Sequence, residues 1–338
     1  MSSTPRQRVA VVMTVKNDAH ACAVTLQSLL SQTRAPDEIV VVDGGSSDHT
    51  RETVAEYARK CGQIRLIEAA GANIAAGRNL AIRAAAADVI ATIDAGCRAE
   101  SDWLDRLTAP FEQDGPAEFV GGFYKIEPQS LLEAVGGLAT MRGQLDPVDP
   151  WTFNPSARSM AFTKRAWERA GGFPQWLRFS EDTLFDHRMR SLGFQPLFVE
   201  AAVVHWRPRT SLRSIARQFY NYGTGRGHTQ IGASDFLYNL RNALIVAGLS
   251  IACFWHAAAY AALAAAVVYF YFWSFHHKAV RIVRRIGRIA AYPVCLLVMW
   301  IVLFANTLGY IVGTWQRTFA PTEYRDPMAG YLPPVTAS

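Results

Sequence analysis

The sequence lacks the cysteine spacing of a zinc cluster or a disulfide framework. Its five cysteines are scattered along 338 residues, at Cys22, Cys61, Cys97, Cys253 and Cys295, and unpaired cysteines suit a reducing compartment. Also missing are a phosphate loop with Gly-Lys-Ser/Thr, a Gly-x-Ser-x-Gly elbow and a His-Glu-x-x-His pair. These absences argue against P-loop nucleotide chemistry, serine hydrolase chemistry and zinc peptidase chemistry.

Charge is missing from long stretches of the C-terminal third. Ala243–Phe275 contains no Asp, Glu, Lys or Arg over 33 residues, which exceeds the roughly 20 that one perpendicular crossing of a bilayer needs. We therefore predict two transmembrane helices there, at about 237–254 and 257–275. Ile289–Trp315 is also free of formal charge and predicts a third span at about 289–314.

Acids are missing between the second and third predicted spans. Residues 276–288 contain five lysines and arginines and no acid, so the positive-inside rule predicts that this loop is cytoplasmic. The N-terminal domain is then cytoplasmic too, and the tail at 316–338 lies outside. No signal peptide is expected, because the first apolar run, Val9–Val15, is only long enough for a strand. The net charge is +6, and the basic residues gather beside the membrane segment. This position indicates binding to anionic lipid rather than to nucleic acid.

What is present before residue 230 is an alternation of strand and helix patterns. Predicted strands at 9–15, 38–42, 64–68 and 89–93 are separated by predicted helices at 20–32, 50–60 and 73–87. This order predicts an α/β fold with a mostly parallel, Rossmann-like sheet. We divide residues 1–230 into a nucleotide-binding half at about 1–115, an acceptor half at about 116–210 and an interfacial helix at about 211–230. The membrane domain follows at 231–315.

The ends of two predicted strands carry carboxylates. Asp43 ends a β-branched strand and precedes Gly44-Gly45-Ser46-Ser47-Asp48, and Asp94 ends the fourth strand. The glycines allow a tight turn, and the serines or Asp48 can cap the next helix. Because open α/β sheets bind nucleotides at the carboxyl ends of their strands, Asp43 and Asp94 are expected to point into one crevice.

Several motifs in this order resemble those of the family 2 glycosyltransferases, which are inverting enzymes of the GT-A fold. The motifs are Val11-Val12-Met13-Thr14-Val15-Lys16-Asn17-Asp18, Val42-Asp43-Gly44-Gly45-Ser46-Ser47-Asp48, Ala76-Gly77-Arg78-Asn79, Ile93-Asp94-Ala95-Gly96-Cys97, Ala170-Gly171-Gly172-Phe173 and Ser180-Glu181-Asp182. The resemblance covers roughly residues 8–230. It is strongest to membrane-bound members that build polysaccharides on lipid carriers, such as the succinoglycan type.

The resemblance implies a donor site on the first three motifs. Asp43 would bind the nucleobase or ribose, with Thr14 and Val15 lining the same pocket, and Asp94 would reach the donor diphosphate through a divalent metal. Arg78 could neutralise a phosphate by a bidentate contact. The alternatives are that Asp43 only caps the following helix and that Arg78 is a solvated arginine on a helix face.

The metal site departs from the family pattern. The usual motif has a second carboxylate two positions after the first, where this chain has Gly96, and one carboxylate holds Mg²⁺ or Mn²⁺ less strongly than two. His205, expected just past a strand, matches the position of a late metal or phosphate contact, and imidazole suits Mn²⁺ better than Mg²⁺. Its alternative role is a structural hydrogen bond.

Glu181 and Asp182 open a predicted helix and offer a general base. Inversion is a direct displacement, so the acceptor hydroxyl must lose its proton as the new bond forms. Two adjacent acids face different directions, and the resemblance assigns catalysis to Asp182, with Glu181 capping or pairing. The alternative is that Ser180, Glu181 and Asp182 only satisfy the helix N-terminus.

The last soluble element, at 212–222, is predicted to be an amphipathic helix on the membrane surface. In processive relatives a Gln-containing motif here helps to hold the acceptor, which implies acceptor contacts for Gln218, Tyr222 and Arg226. The usual Arg-Trp ending is replaced by Asn221-Tyr222, so we expect addition of a single sugar. The alternative is a basic interfacial helix with no substrate contact.

Together these features predict a membrane-anchored, multi-pass, inverting glycosyltransferase at the cytoplasmic face of the inner membrane. It would use a nucleotide sugar, with a UDP-sugar favoured, and a polyprenyl-linked or other lipid-linked acceptor. An inactive GT-A-like partner of a glycan assembly complex is the alternative, and Gly96 favours it. A sugar-phosphate nucleotidyltransferase would share the fold class, but the chain lacks an evident Gly-rich, basic N-terminal loop.

Overall fold

The computed structural model describes residues 6–113, 117–141 and 143–332. Over these residues the chain divides into two compact units. The first unit draws on Met1–Glu127, Val148–Arg207 and Asp326–Ser338, and the second draws on Pro128–Pro147 and Pro208–Arg325.

All strands among the described residues belong to the first unit. They are β1 Val9–Val15, β2 Glu38–Asp43, β3 Ile64–Glu68, β4 Val89–Thr92, β5 Cys97–Ala99, β6 Phe119–Ile126, β7 Met160–Thr163 and β8 Leu197–Trp206. The helices are α1 Ala19–Leu30, α2 Thr50–Lys60, α3 Ile74–Ala84, α4 Trp103–Thr108, α5 Leu131–Thr140, α6 Lys164–Ala170, α7 Glu181–Ser191, α8 Leu212–Thr229, α9 Ala233–Ala252, α10 Ala258–Tyr271, α11 His277–Ile286, α12 Ala291–Phe319 and α13 Pro321–Tyr331. A 3₁₀ turn lies at Ala109–Glu112 and a π-helical turn at Phe272–His276.

The eight strands of the described residues form one sheet in the order β3-β2-β1-β4-β7-β6-β8-β5. β3, β2, β1 and β4 pair in parallel, which confirms the α/β prediction for the nucleotide-binding half. β7 runs antiparallel to both β4 and β6, and β5 runs antiparallel to β8. The acceptor half therefore makes the sheet mixed.

The sheet is buried on both faces. Alternate β1 residues divide between two apolar clusters: Val9, Val11 and Met13 pack with α1 residues on one face, and Ala10 and Val12 pack with α3 residues on the other. A strand buried on both faces reads as a continuous apolar run. This is why the sequence located β1 and β2 correctly.

The second unit consists of helices, and two of them are in backbone contact. Gly223 and Gly227 of α8 pack against α12. A Cβ atom added at Gly223 would lie 2.1 Å from the carbonyl oxygen of Asn306, and one at Gly227 would lie 2.4 Å from that of Tyr310. Small residues four apart allow such an approach. Helix α8 thus covers almost all of the interfacial helix predicted at about 211–230, and it packs on α12. Its location on a membrane surface stays a prediction.

Two helices among the described residues are long and apolar enough to cross a membrane. One is Ala258–Ile286, which joins α10, the π-helical turn and α11, and the other is Ala291–Phe319. The predicted spans at 257–275 and 289–314 fall on them, whereas the predicted span at 237–254 falls on α9, which does not qualify. Residues 276–288, expected as a loop, are largely helical.

The C-terminal tail contacts the first unit. The Tyr331 hydroxyl donates to the Gly172 carbonyl oxygen at 2.5 Å, and the Arg188 guanidinium lies 5.8 Å from the centre of the Tyr331 ring. Tyr331 is itself part of the first unit, so these contacts lie within that unit. The outside location expected for the tail stays a prediction.

Candidate functional site

The carboxyl ends of β1 and β2 lie side by side and their loops are bonded together. The Gly44 amide donates to the Val15 carbonyl oxygen at 2.9 Å, and the Asn17 amide donates to the Ser46 hydroxyl at 2.8 Å. Asn17 has a φ of +54°, a conformation that non-glycine residues adopt rarely and mostly at special sites. Thr14 packs against Gly77 of α3, where an added Cβ would lie 2.9 Å from the Thr14 methyl carbon. The predicted donor residues Thr14, Val15 and Asp43 are therefore neighbours.

Asp43 organises its own turn. One carboxylate oxygen accepts from the Gly45 amide at 2.9 Å and the Ser46 amide at 2.8 Å, and the other accepts from the Ser46 hydroxyl. The side chain is fully buried. A nucleotide contact by Asp43 would have to share or replace the Ser46 hydroxyl. The structure therefore gives Asp43 a structural role, but this role is to hold its own turn and not to cap the next helix.

Arg78 joins two parts of the site that are far apart in the sequence. Its Nη2 atom lies 2.7 Å from Asp94 Oδ1, and its Nη1 atom lies 2.6 Å from Glu181 Oε1. The guanidinium also lies 5.5 Å from the centre of the Phe173 ring. Arg78 is buried, so it is not the solvated helix-face arginine of the alternative prediction. Its donors are directed at two carboxylates instead of at an open phosphate site.

The charges around Arg78 shift the two carboxylates in opposite directions. Burial acts to raise the pKa of Asp94, but Arg78 and Arg158 outweigh it and hold that pKa below its ordinary value. Burial raises the pKa of Glu181, and Asp182 adds to the rise against the opposing effect of Arg78. Arg78 and Arg158 therefore favour the ionised form of Asp94, whereas burial disfavours the ionised form of Glu181.

Glu181 and Asp182 face different surroundings, as the sequence predicted. Glu181 is buried against Arg78, whereas Asp182 is half-buried and accepts from the Thr183 amide at 2.8 Å. Ser180, which precedes them, has a φ of +64° and makes no side-chain cap on α7. A non-glycine residue held in this region at the start of the helix is the kind of local strain found at functional sites.

The metal-ligand prediction finds only partial support in the geometry. Asp94 is 33% exposed but gives one oxygen to Arg78. His205 lies within β8, and its Nε2 atom is 3.0 Å from Glu100 Oε1. No group of three or more His, Cys, Asp or Glu side chains able to hold a metal ion occurs among the residues that the structure describes. These residues as arranged do not form a site that holds a metal by itself.

Sequence reasoning missed Arg158 and its two aromatic neighbours. The Arg158 guanidinium lies 4.8 Å from the centre of the Trp206 ring and 5.3 Å from that of Tyr124. Arg158 comes two residues before β7, and the sequence alone does not show that β7 inserts beside β4. A basic residue just before a strand was the only signal available.

The predicted acceptor residues belong to α8, in the second unit. Gln218 is buried and its Nε2 atom donates to the Tyr222 hydroxyl at 2.9 Å. Arg226 lies 3.7 Å from Asp235. Gln218 and Tyr222 thus form one polar pair along the helix, while Arg226 is at its C-terminal end.

Removing the Arg78 charge should destabilise the first unit. We expect Arg78→Met to lower the free energy of unfolding by about 3–5 kcal/mol, because it leaves Glu181 and Asp94 without their buried counter-charge. Thermal unfolding of the full chain in detergent, followed by intrinsic fluorescence, measures the loss. Arg83→Met on the exposed end of α3 is the control. Equal unfolding temperatures for the two variants would contradict this account of Arg78.

Comparison with known proteins relates the N-terminal part of the chain to a known family. Residues 10–168 match the sequence profile described as Glycosyl transferase family 2. EpsJ from Bacillus subtilis, named as an uncharacterized glycosyltransferase, is 29% identical over 188 residues, which are 53% of this chain and 54% of EpsJ. The succinoglycan biosynthesis protein ExoA from Rhizobium meliloti is 23% identical over 230 residues, which cover 64% of this chain and 68% of ExoA. The chain therefore spans about half the length of EpsJ.

A solved structure shares the fold. The mannosyltransferase PcManGT from Pyrobaculum calidifontis, in complex with GDP-Man and Mn²⁺, superposes with a TM-score of 0.54 at 17% identity. The superposition covers 94% of this chain and 88% of PcManGT. The predicted GT-A-like fold is confirmed.

Proposed function

From the match of residues 10–168 to Glycosyl transferase family 2 we propose that the chain transfers a sugar from a nucleotide-sugar donor to a lipid-linked or glycan acceptor with inversion. The observation that carries the proposal is the ion-paired cluster around Arg78, which brings Asp94 of the strand-end motif together with the Glu181-Asp182 motif. Arg78 thus joins the predicted donor-site residue Asp94 to Glu181, the neighbour of the proposed base, although more than eighty positions separate the two carboxylates in the sequence.

The donor would lie over the carboxyl ends of β1 and β2, with Thr14, Val15 and Asp43 around the nucleoside and Asp94 toward the diphosphate. This is where open α/β sheets bind nucleotides. UDP-sugars and GDP-sugars are the donor classes to consider, the first from the resemblance and the second because PcManGT was solved with GDP-Man.

Transfer would be a single displacement. The acceptor hydroxyl oxygen attacks the anomeric carbon, the bond from that carbon to the diphosphate breaks, and the nucleoside diphosphate leaves. Asp182 would take the proton from the attacking hydroxyl, because it is the half-buried acid of the pair while Glu181 is held by Arg78. A positioned carboxylate of this kind contributes about 10²–10⁴-fold to the rate.

A divalent metal, Mg²⁺ or Mn²⁺, remains part of the proposal because PcManGT was solved with Mn²⁺. When bound, such an ion would neutralise charge on the donor diphosphate. Since Asp94 is a lone carboxylate and His205 is paired with Glu100, we propose that any ion enters with the donor and takes most of its ligands from phosphate and water.

The acceptor and location are proposed from the second unit. Two helices that could cross a membrane support a membrane-attached enzyme, and the name of ExoA supports polysaccharide biosynthesis. A polyprenyl-linked acceptor would meet Gln218, Tyr222 and Arg226 on α8, at the cytoplasmic face of the inner membrane. Attachment of the enzyme to the membrane would favour an acceptor that is confined there too.

The test is a donor panel. The detergent-solubilised full chain is incubated with UDP-, GDP- and dTDP-sugars, with Mg²⁺ or Mn²⁺ and native lipid extract, and nucleotide release is measured before and after EDTA. We expect lipid-dependent release of one nucleotide, and release reduced but not abolished by EDTA. No release with any donor, alongside measurable nucleotide binding, would contradict the proposal and favour an inactive GT-A-like partner of a glycan assembly complex. Gly96, in place of a second carboxylate, is the observation that favours the inactive partner.

A further inference from the structure

Two motifs of the family resemblance meet inside the first unit through one side chain. Asn79, at the end of the Ala76-Gly77-Arg78-Asn79 motif, lies on α3 and is 2% exposed. Its Oδ1 atom accepts from the Phe173 amide at 2.8 Å, and its Nδ2 atom donates to the Phe173 carbonyl oxygen at 2.8 Å. One side-chain amide thus pairs with both polar backbone groups of the last residue in the Ala170-Gly171-Gly172-Phe173 motif.

The two glycines of the second motif allow this pairing. Gly171 has a φ of +80° and Gly172 a φ of +76°, in a region that residues with a Cβ atom adopt rarely. A Cβ atom added at Gly172 would lie 2.9 Å from Asn79 Oδ1. The same oxygen also accepts from Trp167 Nε1 at 3.1 Å. The backbone of Phe173 is therefore fixed to α3, and its polar groups are satisfied away from water.

The Phe173 ring contacts both sides of the ion-paired cluster. Its centre lies 5.5 Å from the guanidinium of Arg78, the arginine at the centre of that cluster. The ring also stacks on Phe185 of α7, with the two ring centres 4.3 Å apart. Because Glu181 and Asp182 begin α7, the place of Phe173 affects both the arginine and the helix that carries the proposed base.

The position of α7 matters because a general base works only within hydrogen-bond reach of the proton that it takes. Displacement by about 1 Å can lower a rate by about 10²-fold. We propose that Asn79 is a positioning residue for sugar transfer: it holds the Phe173 backbone, and through the Phe173 ring it fixes Arg78 and the start of α7 so that Asp182 meets the acceptor hydroxyl. The inference rests on the proposed function, which supplies the role of Asp182.

The test compares turnover numbers of folded variants. The detergent-solubilised full chain is assayed with native lipid extract and the UDP-, GDP- or dTDP-sugar from which wild type releases nucleotide, below the unfolding temperature of each variant. Calorimetry measures affinity for the matching nucleoside diphosphate. We expect Asn79→Ala to lower the turnover number at least about tenfold, as a displaced catalytic group does, and to leave the donor KM and the nucleotide affinity unchanged. A wild-type turnover number in Asn79→Ala overturns the inference.

Trp167→Phe is the matched control. It removes the indole donor from the same Asn79 oxygen but keeps both bonds to Phe173. It should lower the unfolding temperature, because the smaller ring leaves a cavity, and keep the wild-type turnover number. A loss of turnover as large as that of Asn79→Ala would show that any disturbance of this part of the core is sufficient, and would overturn the positioning role.

Phe173→Leu tests the route from Asn79 to the cluster, and it also covers the case in which Asn79→Ala does not fold. Leucine keeps the backbone bonds to Asn79 but lacks the ring beside Arg78 and Phe185, so the turnover number should again fall. The double variant should lose less than the product of the two separate losses. Wild-type turnover in Phe173→Leu, or the full product in the double variant, overturns the inference and leaves the proposed function standing. No transfer by wild type with any donor overturns the proposed function and this inference together.

Discussion

Asp182→Asn is expected to reduce the turnover number for sugar transfer by about 10²–10⁴-fold, the range that a positioned general base contributes. The amide has nearly the same shape as the carboxylate but cannot take the proton of the acceptor hydroxyl. Affinity for the nucleotide should change little, since the proposed donor contacts are made by Thr14, Val15, Asp43 and Asp94. Transfer assays under saturating donor, with nucleotide binding measured by calorimetry, separate the two effects.

Glu181→Gln is the informative comparison for this prediction. Glu181 is buried against Arg78 at 2.6 Å, so its replacement should affect the stability of the first unit as well as activity. Glu168→Gln, on the exposed side of α6, controls for the loss of an acid elsewhere in the first unit. Turnover of Asp182→Asn close to that of wild type would remove Asp182 from the role of base. A loss confined to nucleotide affinity would instead move it to donor binding.

The parallel half of the fold could be predicted because its signals are local. The buried strands β1 and β2 are continuous apolar runs, and two glycines and two serines after Asp43 indicate the turn. Strands that emerge side by side in a parallel sheet end at one edge, so the closeness of the loops after β1 and β2 followed from general rules. The α/β class and the family resemblance could likewise be predicted from local sequence patterns.

The pairing inside the site could not be predicted in the same way. Nothing near Arg78 in the sequence indicates that Glu181 will be its partner, because the contact depends on how α7 returns to the sheet. The position of Arg158 depends likewise on β7 inserting antiparallel beside β4. These two contacts between distant segments are set by tertiary packing, and no local pattern in the sequence indicates them.

One long-range contact does have a signal in the sequence. Gly223 and Gly227 lie in the predicted interfacial helix at about 211–230, and Gly309 and Gly313 lie in the predicted span at about 289–314. Both pairs have the Gly-x-x-x-Gly spacing of helices that pack backbone to backbone. The amphipathic pattern over 212–222 favours a surface helix, which stays a prediction, and the glycine spacing favours the helix pair that the structure has.

Gly309→Ala is expected to destabilise the second unit by about 3 kcal/mol, which is large for one methyl group. The added Cβ would lie 2.1 Å from the carbonyl oxygen of Tyr220 and 2.9 Å from the amide nitrogen of Thr224. Both are backbone atoms of α8, so no side-chain rotation relieves the clash and the two helices must move apart. Separation would also stretch the bond of 2.7 Å between His228 and Gln316. Thermal unfolding of the full chain in detergent measures the effect.

The chain offers a matched control at Gly248 on α9, where an added Cβ meets nothing within 4 Å. Gly248→Ala should be neutral or slightly stabilising, because alanine favours a helix interior by up to about 1 kcal/mol over glycine. Gly223→Ala should behave like Gly309→Ala, and combining the two should destabilise by less than their sum, because once the helices have separated the second methyl group meets less resistance. Equal unfolding temperatures for Gly309→Ala and Gly248→Ala would show that α8 and α12 do not touch through their backbones. Additive losses would show that the two glycines act at independent contacts.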